Sequence, residues 1–591
     1  MHLIGVDGRY GRYKRSKTPF LKIEQCRDSA RAKLKKGEWN LLILHNNDMH
    51  SRFVETDAKQ NECPDEIKAE NKCYGGMARV ATVVRRARKD AKRGGPPVLY
   101  LNAGDTFAGS PWFMVHKAPL VALSMNLLRP DAASLGNHEF DLGAKGLETY
   151  LNLTYGYPVV AANIDVSEEP GLLKQRSLKR SVVYRVNGRL IGIIGYVLPD
   201  TKLMAIANNI TFNDEIKTIK REAGILKRGG VKILIALGHS GHNMDKKIAA
   251  EVKDIDIVVG GHSNTFLWNG KEPDSEQPKG EYPVQVKQNV SSKVVPVVQA
   301  YAHTKYIGRL MVTFSKCGKV IRSCGQPLLL DNKIPQALDV VEFMKIYKGP
   351  VDKLVNQVVG YSIPLLVNGC RQKECDIGKV VTQAMLQAAY KYLGINSMIE
   401  IDNNHKPKKN KTFDLIVLQN AGGIRSNLMP YENSTVIYGM LMSVMPYEST
   451  LFKCEITGKQ LKAMLEWGVT RYTVNNERGE FPQVANINVT YDLTKDNGSR
   501  VIDLKVKLAN SAEYATYEET TVYTLITSSY VAQGGDGYSV LLESTVNKTN
   551  MGILDTRALA DYFEKTNNIT EKFLKGLPPN IIIAKEYVAK T

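Results

Sequence analysis

The sequence predicts an α/β fold in which buried strands alternate with helices, followed by a second domain of different character. Five short apolar runs rich in Val, Ile and Leu stop abruptly, as strands buried on both faces do. Segments with apolar residues three and four apart, such as 76–90, predict amphipathic helices between them. The chain of 591 residues exceeds one ordinary core, and no strand end of this kind occurs beyond residue 360.

Each of the five apolar runs is followed by Asp, Asn or His. The runs with their polar ends are 41–50, 98–105, 133–141, 233–239 and 255–262. Because strand ends converge on one edge of an open α/β sheet, we expect these side chains to lie together. One Asp-x-His after a strand is ordinarily a capped turn, but five such ends without Cys predict a site for two cations such as zinc, manganese or magnesium.

Two of these segments carry a family resemblance. Leu44-His-Asn-Asn-Asp-Met-His50 and Leu135-Gly-Asn-His-Glu-Phe-Asp141 resemble the two signatures of the 5′-nucleotidase family, which includes ecto-5′-nucleotidases and the salivary apyrases of arthropods. The similarity extends from about Asn40 to about Leu577. It implies an N-terminal calcineurin-like metallophosphoesterase domain, a layered α/β sandwich. A linker helix would join this domain to a C-terminal α+β nucleotide-binding domain.

The resemblance also implies a role for each polar strand end. Asp48 and His50 would bind one divalent ion, and Asp105 would bridge two ions, with zinc as the first assignment and manganese, magnesium or calcium as alternatives. The ligands implied for the second ion are Asn137, His239 and His262. His138 would stabilise charge on the transferred phosphoryl group, Asp141 would orient His138, and Asn264 would line the site.

Three loops of the second domain have compositions that suit a nucleotide. Arg371 lies between two close cysteines, and Arg425 follows a Gly turn; two held guanidinium groups suit a polyanion. The third loop, 529–538, is Gly-rich and exposes an aromatic ring and a carboxylate. The family resemblance implies that both arginines bind phosphate, with further contacts to base and ribose from Asn420, Tyr447, Tyr530 and Asp536.

This chain departs from the family pattern at three positions of these loops. Ala421 replaces the first Gly of a Gly triplet, and Tyr447 and Tyr530 stand where the family carries Phe. Since Tyr also stacks on a base, we expect nucleotide binding to persist.

The domain boundaries follow from composition and periodicity. We predict a basic arm at 1–38, the catalytic domain at 39–330, a linker helix at 331–359 and the substrate domain at 360–591. The arm holds 11 Lys or Arg against 4 Asp or Glu, and 406–411 is predicted to be an exposed basic loop. Neither a signal peptide nor the tail of a lipid-anchored precursor is recognised, so we expect no membrane anchor.

The cysteines and glycosylation motifs favour an extracellular protein. Three close pairs among the eight cysteines predict disulfides, at 63/73, 317/324 and 370/375, and Cys26 and Cys454 remain unassigned. Nine Asn-x-Ser/Thr motifs permit glycosylation. We therefore expect a secreted protein, either a monomer or a homodimer.

The net charge of +19 favours anionic partners, but no nucleic-acid-binding motif is recognised. Three functions stay open on the sequence. The first is an apyrase that converts ATP and ADP to AMP and so inhibits ADP-driven platelet aggregation. The second is a 5′-nucleotidase that converts AMP to adenosine. The third is a nucleotide-binding protein without enzymatic activity.

Overall fold

The computed structural model describes residues 4–5, 26, 34–58, 60, 62–205, 208–395, 414–431, 433–447, 449–472, 478–509 and 513–586. The chain divides into two compact units, Met1–Val351 and Asp352–Thr591. The division falls inside a helix, Leu338–Val355, which lies within the predicted linker 331–359. The exact domain boundaries stay predictions. Most of the basic arm 1–38 and the loop 406–411 lie outside the described residues.

Two large sheets form the framework of the first unit. Its strands, in chain order, are β1 (Ile4–Gly5), β2 (Trp39–Asn46), β3 (Val98–Asn102), β4 (Ala132–Ser134), β5 (Val159–Val160), β6 (Ile164–Asp165), β7 (Leu178–Lys179), β8 (Ser181–Val186), β9 (Arg189–Val197), β10 (Thr211–Phe212), β11 (Ile233–His239), β12 (Ile257–Val259), β13 (Val284–Lys287), β14 (Val294–Val298), β15 (Tyr306–Phe314), β16 (Val320–Gly325) and β17 (Leu328–Leu329). One sheet has the order β16-β15-β2-β3-β4-β5-β7, with β17 pairing β15, and the other β1-β8-β9-β11-β12-β14-β13.

The two sheets share one apolar core. Alternate residues of β2, such as Leu41 and Ile43, lie in the same buried cluster as Ile233 and Ile235 of β11. The cluster therefore contains inward-facing residues of both sheets, and the unit is the predicted layered α/β sandwich. Strands β2 to β5 run parallel, as do β9, β11, β12 and β14, so that neighbouring strands end at the same edge.

Helices alternate with these strands along the chain. They are α1 (Asp65–Ala69), α2 (Met77–Lys92), α3 (Pro111–Leu128), α4 (Gly143–Leu153), α5 (Pro170–Leu173), α6 (Thr201–Met204), α7 (Glu215–Arg228), α8 (His242–Glu251) and α9 (Leu338–Val355). Helix α7 begins where the Asp214 side chain accepts a hydrogen bond from the Lys217 backbone N–H. Its apolar face, which includes Ile219 and Leu226, packs with Leu234 of β11 in a second buried cluster. The amphipathic helix predicted at 76–90 is α2.

The described part of the second unit contains smaller sheets and six α-helices. Its strands are β18 (Val358–Ser362), β19 (Leu415–Asn420), β20 (Thr435–Ile437), β21 (Thr450–Thr457), β22 (Pro482–Ala485), β23 (Ile487–Asp492), β24 (Val501–Lys507), β25 (Tyr514–Thr516), β26 (Val522–Ser528), β27 (Asn547–Leu554), β28 (Asn568–Ile569) and β29 (Ile581–Lys585). Its helices are α10 (Asp376–Tyr392), α11 (Tyr438–Val444), α12 (Gly458–Val469), α13 (Ser529–Ala532), α14 (Asp555–Thr566) and α15 (Glu571–Gly576). The five-stranded sheet, β22-β19-β26-β21-β27, is mostly antiparallel, which confirms the predicted α+β character.

One predicted disulfide is wrong. Cys63–Cys73 and Cys370–Cys375 form as predicted, but Cys324 bonds Cys26 and leaves Cys317 with a free thiol. In the β15–β16 hairpin, Cys324 lies opposite Met311, whereas Cys317 lies in the turn several residue pairs away. Two cysteines spaced along a hairpin in this way are too far apart to bond without moving the backbone. Cys454 is buried and free.

Candidate metal and nucleotide sites

The first sheet brings three of the predicted turns to one edge. Asp48 and His50 follow β2, Asp105 follows β3, and Asn137 follows β4. These strands are adjacent and parallel, and Asn102 is aligned with Asn46 on one side and Ala133 on the other. Positive φ values of 49°, 47° and 53° at Asp48, His50 and Asp105 turn the backbone sharply at the strand ends.

The second sheet adds two imidazoles at the same place. His239 is the last residue of β11, and His262 follows β12 after two glycines, with a φ of 79°. His239 Nε2 lies 2.8 Å from Asp105 Oδ2 and 3.6 Å from Asp48 Oδ1. His262 Nδ1 lies 3.0 Å from Asn137 Oδ1. The site therefore lies at the joint carboxyl edge of both sheets.

The six predicted metal ligands all come together. His50 Nε2 completes the cluster, at 3.9 Å from Asp48 Oδ1 and 3.8 Å from Asp105 Oδ2. Two groups have ligand atoms mutually within 4.8 Å: His50, Asp105 and His138, and Asp105, His239 and His262. Asp105 belongs to both groups, so its carboxylate is placed to face two positive charges.

The chemistry of His239 fits a bound cation. Its Nδ1 lies 2.6 Å from the Ala103 carbonyl oxygen, an arrangement in which Nδ1 carries the hydrogen and donates it. The buried Nε2 then directs a lone pair at the Asp105 carboxylate, and it forms no hydrogen bond of acceptable geometry with the described residues. A lone pair and a carboxylate 2.8 Å apart repel each other, so a positive charge, either a proton on Nε2 or a bound cation, is needed between them.

The pKa shifts of His239, Asp48 and Asp105 show that these three groups favour a positive charge among them. Burial lowers the pKa of His239, but Asp105 and Asp48 outweigh it and raise this pKa to about 10. Burial also raises the pKa of Asp48 to about 7, partly offset by His239. Burial would raise the pKa of Asp105 as well, but His239 and His138 hold it below its ordinary range. Divalent ions would displace such a proton when they bind.

His138 and Asp141 form a pair beside the cluster. His138 Nδ1 lies 2.7 Å from Asp141 Oδ2, and the His138 backbone N–H donates to Asp105 Oδ1 at 3.0 Å. Burial lowers the pKa of His138, but Asp141 and Asp105 raise it to about 10. The ring of His138 lies edge-on to His50, 5.1 Å between centroids. His138 is thus oriented by Asp141 and faces the cluster.

Asn264 is a predicted site residue of this unit that forms no hydrogen bond with the cluster, as far as the described residues show. It is exposed and has a φ of 49°, two residues beyond His262. Its side chain forms no hydrogen bond within the part of the chain that the structure describes.

In the second unit, three of the predicted nucleotide contacts form one network. Asn420 Nδ2 donates to Asp536 Oδ2 at 2.7 Å, and the Tyr530 hydroxyl donates to Asp536 Oδ1 at 2.9 Å. The Arg425 guanidinium lies 5.8 Å from the ring centroid of Tyr447. Tyr447 also lies close enough to Tyr530 to raise its pKa, although burial and Asp536 raise that pKa more.

Arg371 lies in the loop closed by the Cys370–Cys375 disulfide, and Arg478 contacts this loop. The backbone nitrogen of Arg478 is 3.5 Å from the Arg371 carbonyl oxygen. The next residue, Gly479, packs against Asp536 so closely that a Cβ there would lie 3.0 Å from its carboxylate. Arg478 and Gly479 are not predicted from the sequence, because the isolated segment Arg478-Gly-Glu480 carries no strand-end signal.

Asn47, which adjoins the predicted ligand Asp48, is a further residue of the site that the sequence analysis does not predict. Its Nδ2 donates to Asp48 Oδ2 and to the Tyr301 carbonyl, both at 2.6 Å, and its Oδ1 accepts from the Ala300 backbone N–H. Asn47 thereby fixes the Asp48 carboxylate. The repeated polar residues before Asp48 were the available signal.

Comparisons with known proteins agree with this geometry. Residues 41–266 match the family profile of calcineurin-like phosphoesterases, and residues 358–543 match that of the 5′-nucleotidase C-terminal domain. The chain is 39% identical to Protein 5NUC of Lutzomyia longipalpis over 93% of this chain and 94% of that protein. The chain belongs to the 5′-nucleotidase family.

Two further relatives extend this result. The 5′-nucleotidase of Bos taurus is 36% identical over 89% of this chain and 88% of that protein. The crystal structure of a 5′-nucleotidase precursor from Thermus thermophilus superimposes with a TM-score of 0.64 and 30% identity, over 93% of this chain and 100% of that one.

The family membership settles the class of chemistry. This member of the 5′-nucleotidase family is a phosphoric ester hydrolase, and its metallophosphoesterase fold implies divalent metal ions. The alternative of a nucleotide-binding protein without enzymatic activity is therefore wrong. No helix among the described residues is long and apolar enough to cross a membrane.

Proposed function

We propose that this protein is a secreted apyrase, which hydrolyses extracellular ATP and ADP to AMP and phosphate and so inhibits ADP-driven platelet aggregation. The observation that carries the hydrolytic part is the cluster at the joint edge of the two sheets, in which Asp105 faces imidazoles on both sides. A carboxylate shared in this way is the arrangement that two-ion hydrolases use.

Two divalent ions, with zinc as the first assignment, would be held by the six clustered side chains. Asp48 and His50 would bind one ion; Asn137, His239 and His262 would bind the other, and Asp105 would contact both. When bound, such ions lower the pKa of water and neutralise phosphoryl oxygens. Asn47, through its hydrogen bond to Asp48, would hold that ligand in its binding orientation.

His138 would stabilise the reacting phosphoryl group. With Nδ1 paired to Asp141, the imidazole keeps Nε2 free to donate to an equatorial phosphoryl oxygen. Water adds to phosphorus as the P–O bond to the leaving group breaks, and the proton of that water is released as inorganic phosphate forms. No covalent intermediate with a protein side chain is required.

The second unit would bind the nucleotide. Asp536 would accept hydrogen bonds from the ribose hydroxyls, Asn420 would contact the base, and Tyr447 and Tyr530 would stack on it. Arg371 and Arg425 would pair with phosphate oxygens. The hydrogen bonds already joining Asn420, Asp536 and Tyr530 support this proposal, because they bring the three side chains into contact. Asn264 would line the catalytic site of the first unit.

A 5′-nucleotidase that acts on AMP is the second candidate. It is favoured by the Gly422-Gly-Ile-Arg425 loop, which resembles that branch of the family, and by the relatives named 5′-nucleotidase. Both candidates use the same clustered ligands, so they differ in which phosphate lies at the cluster.

Secretion is proposed from the three disulfides of the described chain, which form and persist in oxidising compartments. We propose a monomer or homodimer without a nucleic-acid partner.

The deciding experiment measures phosphate release from ATP, ADP and AMP in parallel, with a divalent metal present. We expect release from ATP and ADP that stops at AMP. Phosphate released from AMP alone would refute the apyrase and support the 5′-nucleotidase.

A further inference from the structure

Glu139 is a buried carboxylate between two turns of the candidate metal site. Only 1% of it is exposed, and it lies one residue beyond His138 in a short 3₁₀ turn. Neither the predicted ligands nor the predicted catalytic pair includes it. A carboxylate buried to this degree is costly unless several donors satisfy it.

Five donors point at Glu139, and they come from two different turns. Oε1 accepts from the Thr106 backbone N–H at 2.7 Å, from the Thr106 hydroxyl at 2.6 Å and from the Phe107 N–H at 3.3 Å. Oε2 accepts from the Asp105 N–H at 3.0 Å and from the Gly136 N–H at 2.6 Å. One side chain thus binds the turn after β3 to the turn after β4.

The contact between these turns leaves no spare room. A Cβ at Gly136 would lie 2.1 Å from Asp105 Oδ1, and the same oxygen accepts the His138 backbone N–H at 3.0 Å. The spacing of Asp105 from Asn137 and His138 therefore depends on how the two turns are held together.

We propose that Glu139 is a positioning residue, whose carboxylate fixes the Asp105 turn against the Asn137–His138 turn and thereby sets the affinity for divalent cations and the alignment of His138. Hydrogen-bond partners of metal ligands commonly have this effect, and their loss costs about 10–100-fold in metal affinity or activity.

The position requires a side chain with two accepting oxygens and excludes an amide. Each of the two oxygens faces at least two donors, and a Gln side chain must place its NH₂ group against one of these sets. Two N–H groups would then point at an NH₂, and the turns would separate. Glu139→Gln is nearly isosteric, so it tests the charge and the acceptor pattern rather than the volume.

Asp131→Asn is the matched control. Asp131 precedes β4, at the opposite end of the same strand pair, where its Oδ2 accepts the Tyr100 backbone N–H at 2.7 Å and pairs with Arg88 at 3.0 Å. It too is a carboxylate that joins β3 to β4, but it lies away from the cluster. A merely structural role would make the two variants behave alike.

The experiment titrates the metal-free parent, Glu139→Gln and Asp131→Asn with Zn²⁺ and with Mn²⁺ in competition with a chromogenic chelator. Phosphate release at saturating metal then gives kcat and KM. We expect Glu139→Gln to lose about 10–100-fold in metal affinity and about tenfold or more in kcat, with KM within about twofold. Asp131→Asn should keep its metal affinity within about twofold.

Equal metal affinity in Glu139→Gln and the parent would overturn the proposal, as would equal losses in Glu139→Gln and Asp131→Asn. If Glu139→Gln does not fold, Thr106→Val decides, because it removes one hydroxyl donor and leaves every backbone donor. We expect a loss of about 2–10-fold in metal affinity, and an unchanged affinity would overturn the proposal.

This inference rests on the metal ligands assigned under the proposed function, but its failure can be distinguished from failure of that function. The titration needs no nucleotide, so a parent protein that binds metal and hydrolyses none of the three nucleotides would refute only the proposed function. A parent that binds no divalent cation would overturn both.

Discussion

His138 is held in a fixed orientation beside the cluster. Its Nδ1 lies 2.7 Å from Asp141 Oδ2, and its ring lies edge-on to His50. We predict that His138→Ala retains bound metal but loses about 10²–10⁴ in kcat, the range for one acid–base or charge-stabilising group. The measurement is kcat at saturating metal, together with metal content.

His116→Ala serves as its control. His116 is a partly buried histidine of the same unit, and it bonds the Tyr347 carbonyl rather than the cluster. Its kcat should stay within about twofold of the parent. Near-normal turnover in purified His138→Ala would refute the role of His138.

Tyr530 differs from the family pattern in a way that the structure makes testable. Its hydroxyl donates to Asp536, the carboxylate proposed to bind ribose, and so occupies an acceptor that substrate would use. We predict that Tyr530→Phe lowers KM by about 2–10-fold, the value of one hydrogen bond, without changing kcat.

Tyr447→Phe is the matched control, because the Tyr447 hydroxyl has no hydrogen bond to another described residue. Its KM should stay within about twofold of the parent. A higher KM in Tyr530→Phe would show that the hydroxyl assists binding instead.

At the scale of elements, the turn after β4 depends on Gly136. A Cβ at this position would lie 2.1 Å from Asp105 Oδ1, so Gly136→Ala must displace the carboxylate shared by both ligand groups. We predict a loss of at least about 10² in kcat, since misplacement by about 1 Å has this cost. Gly349→Ala is the control, because nothing lies within 4 Å of the added methyl group; it should retain full activity.

Strand β2 carries a buried histidine that makes the first unit sensitive to acid. Burial lowers the pKa of His45 to about 3, and its Nε2 lies 2.7 Å from the Tyr282 hydroxyl. In the unfolded chain the pKa is about 6.5, so below this pH the unfolded chain binds a proton that the folded chain does not. This contribution to stability is complete above pH 6.5 and declines as the pH falls towards 3.

We therefore predict that His45→Gln makes the free energy of unfolding less dependent on pH. Between about pH 6 and 4 the slope should be shallower by up to about 1.4 kcal/mol per pH unit. Urea unfolding of the metal-free parent and variant over this range measures it. Parallel slopes would contradict the prediction.

The elements also show why some features were predictable and others were not. The clustering of the strand ends was predictable because a buried strand followed at once by Asp, Asn or His is a local signal, and the parallel order brings those ends together. Cys26–Cys324 spans 298 residues, and its partner choice depends on the register of β15 and β16, which no local signal gives. The role of Glu139 was hidden for the same reason, since most of its donors lie more than 30 residues earlier in the chain.

For the whole molecule, the two-part architecture was predictable because the motifs of the family are long, whereas the nucleotide contacts stay predictions. Sequence reasoning did not find Arg478, whose contact with the Arg371 loop arises only when the second unit folds. Most of the predicted residues come together within their unit: the six predicted metal ligands cluster in the first, where Asn264 stays apart, and Asn420, Asp536 and Tyr530 form one network in the second.

The direct test of the account is elemental analysis of the purified, active protein beside its Asp105→Asn variant. Because Asp105 belongs to both ligand groups, we predict two divalent ions per chain in the parent, and a folded variant that loses metal and turnover together. An active parent protein without bound metal would contradict the account.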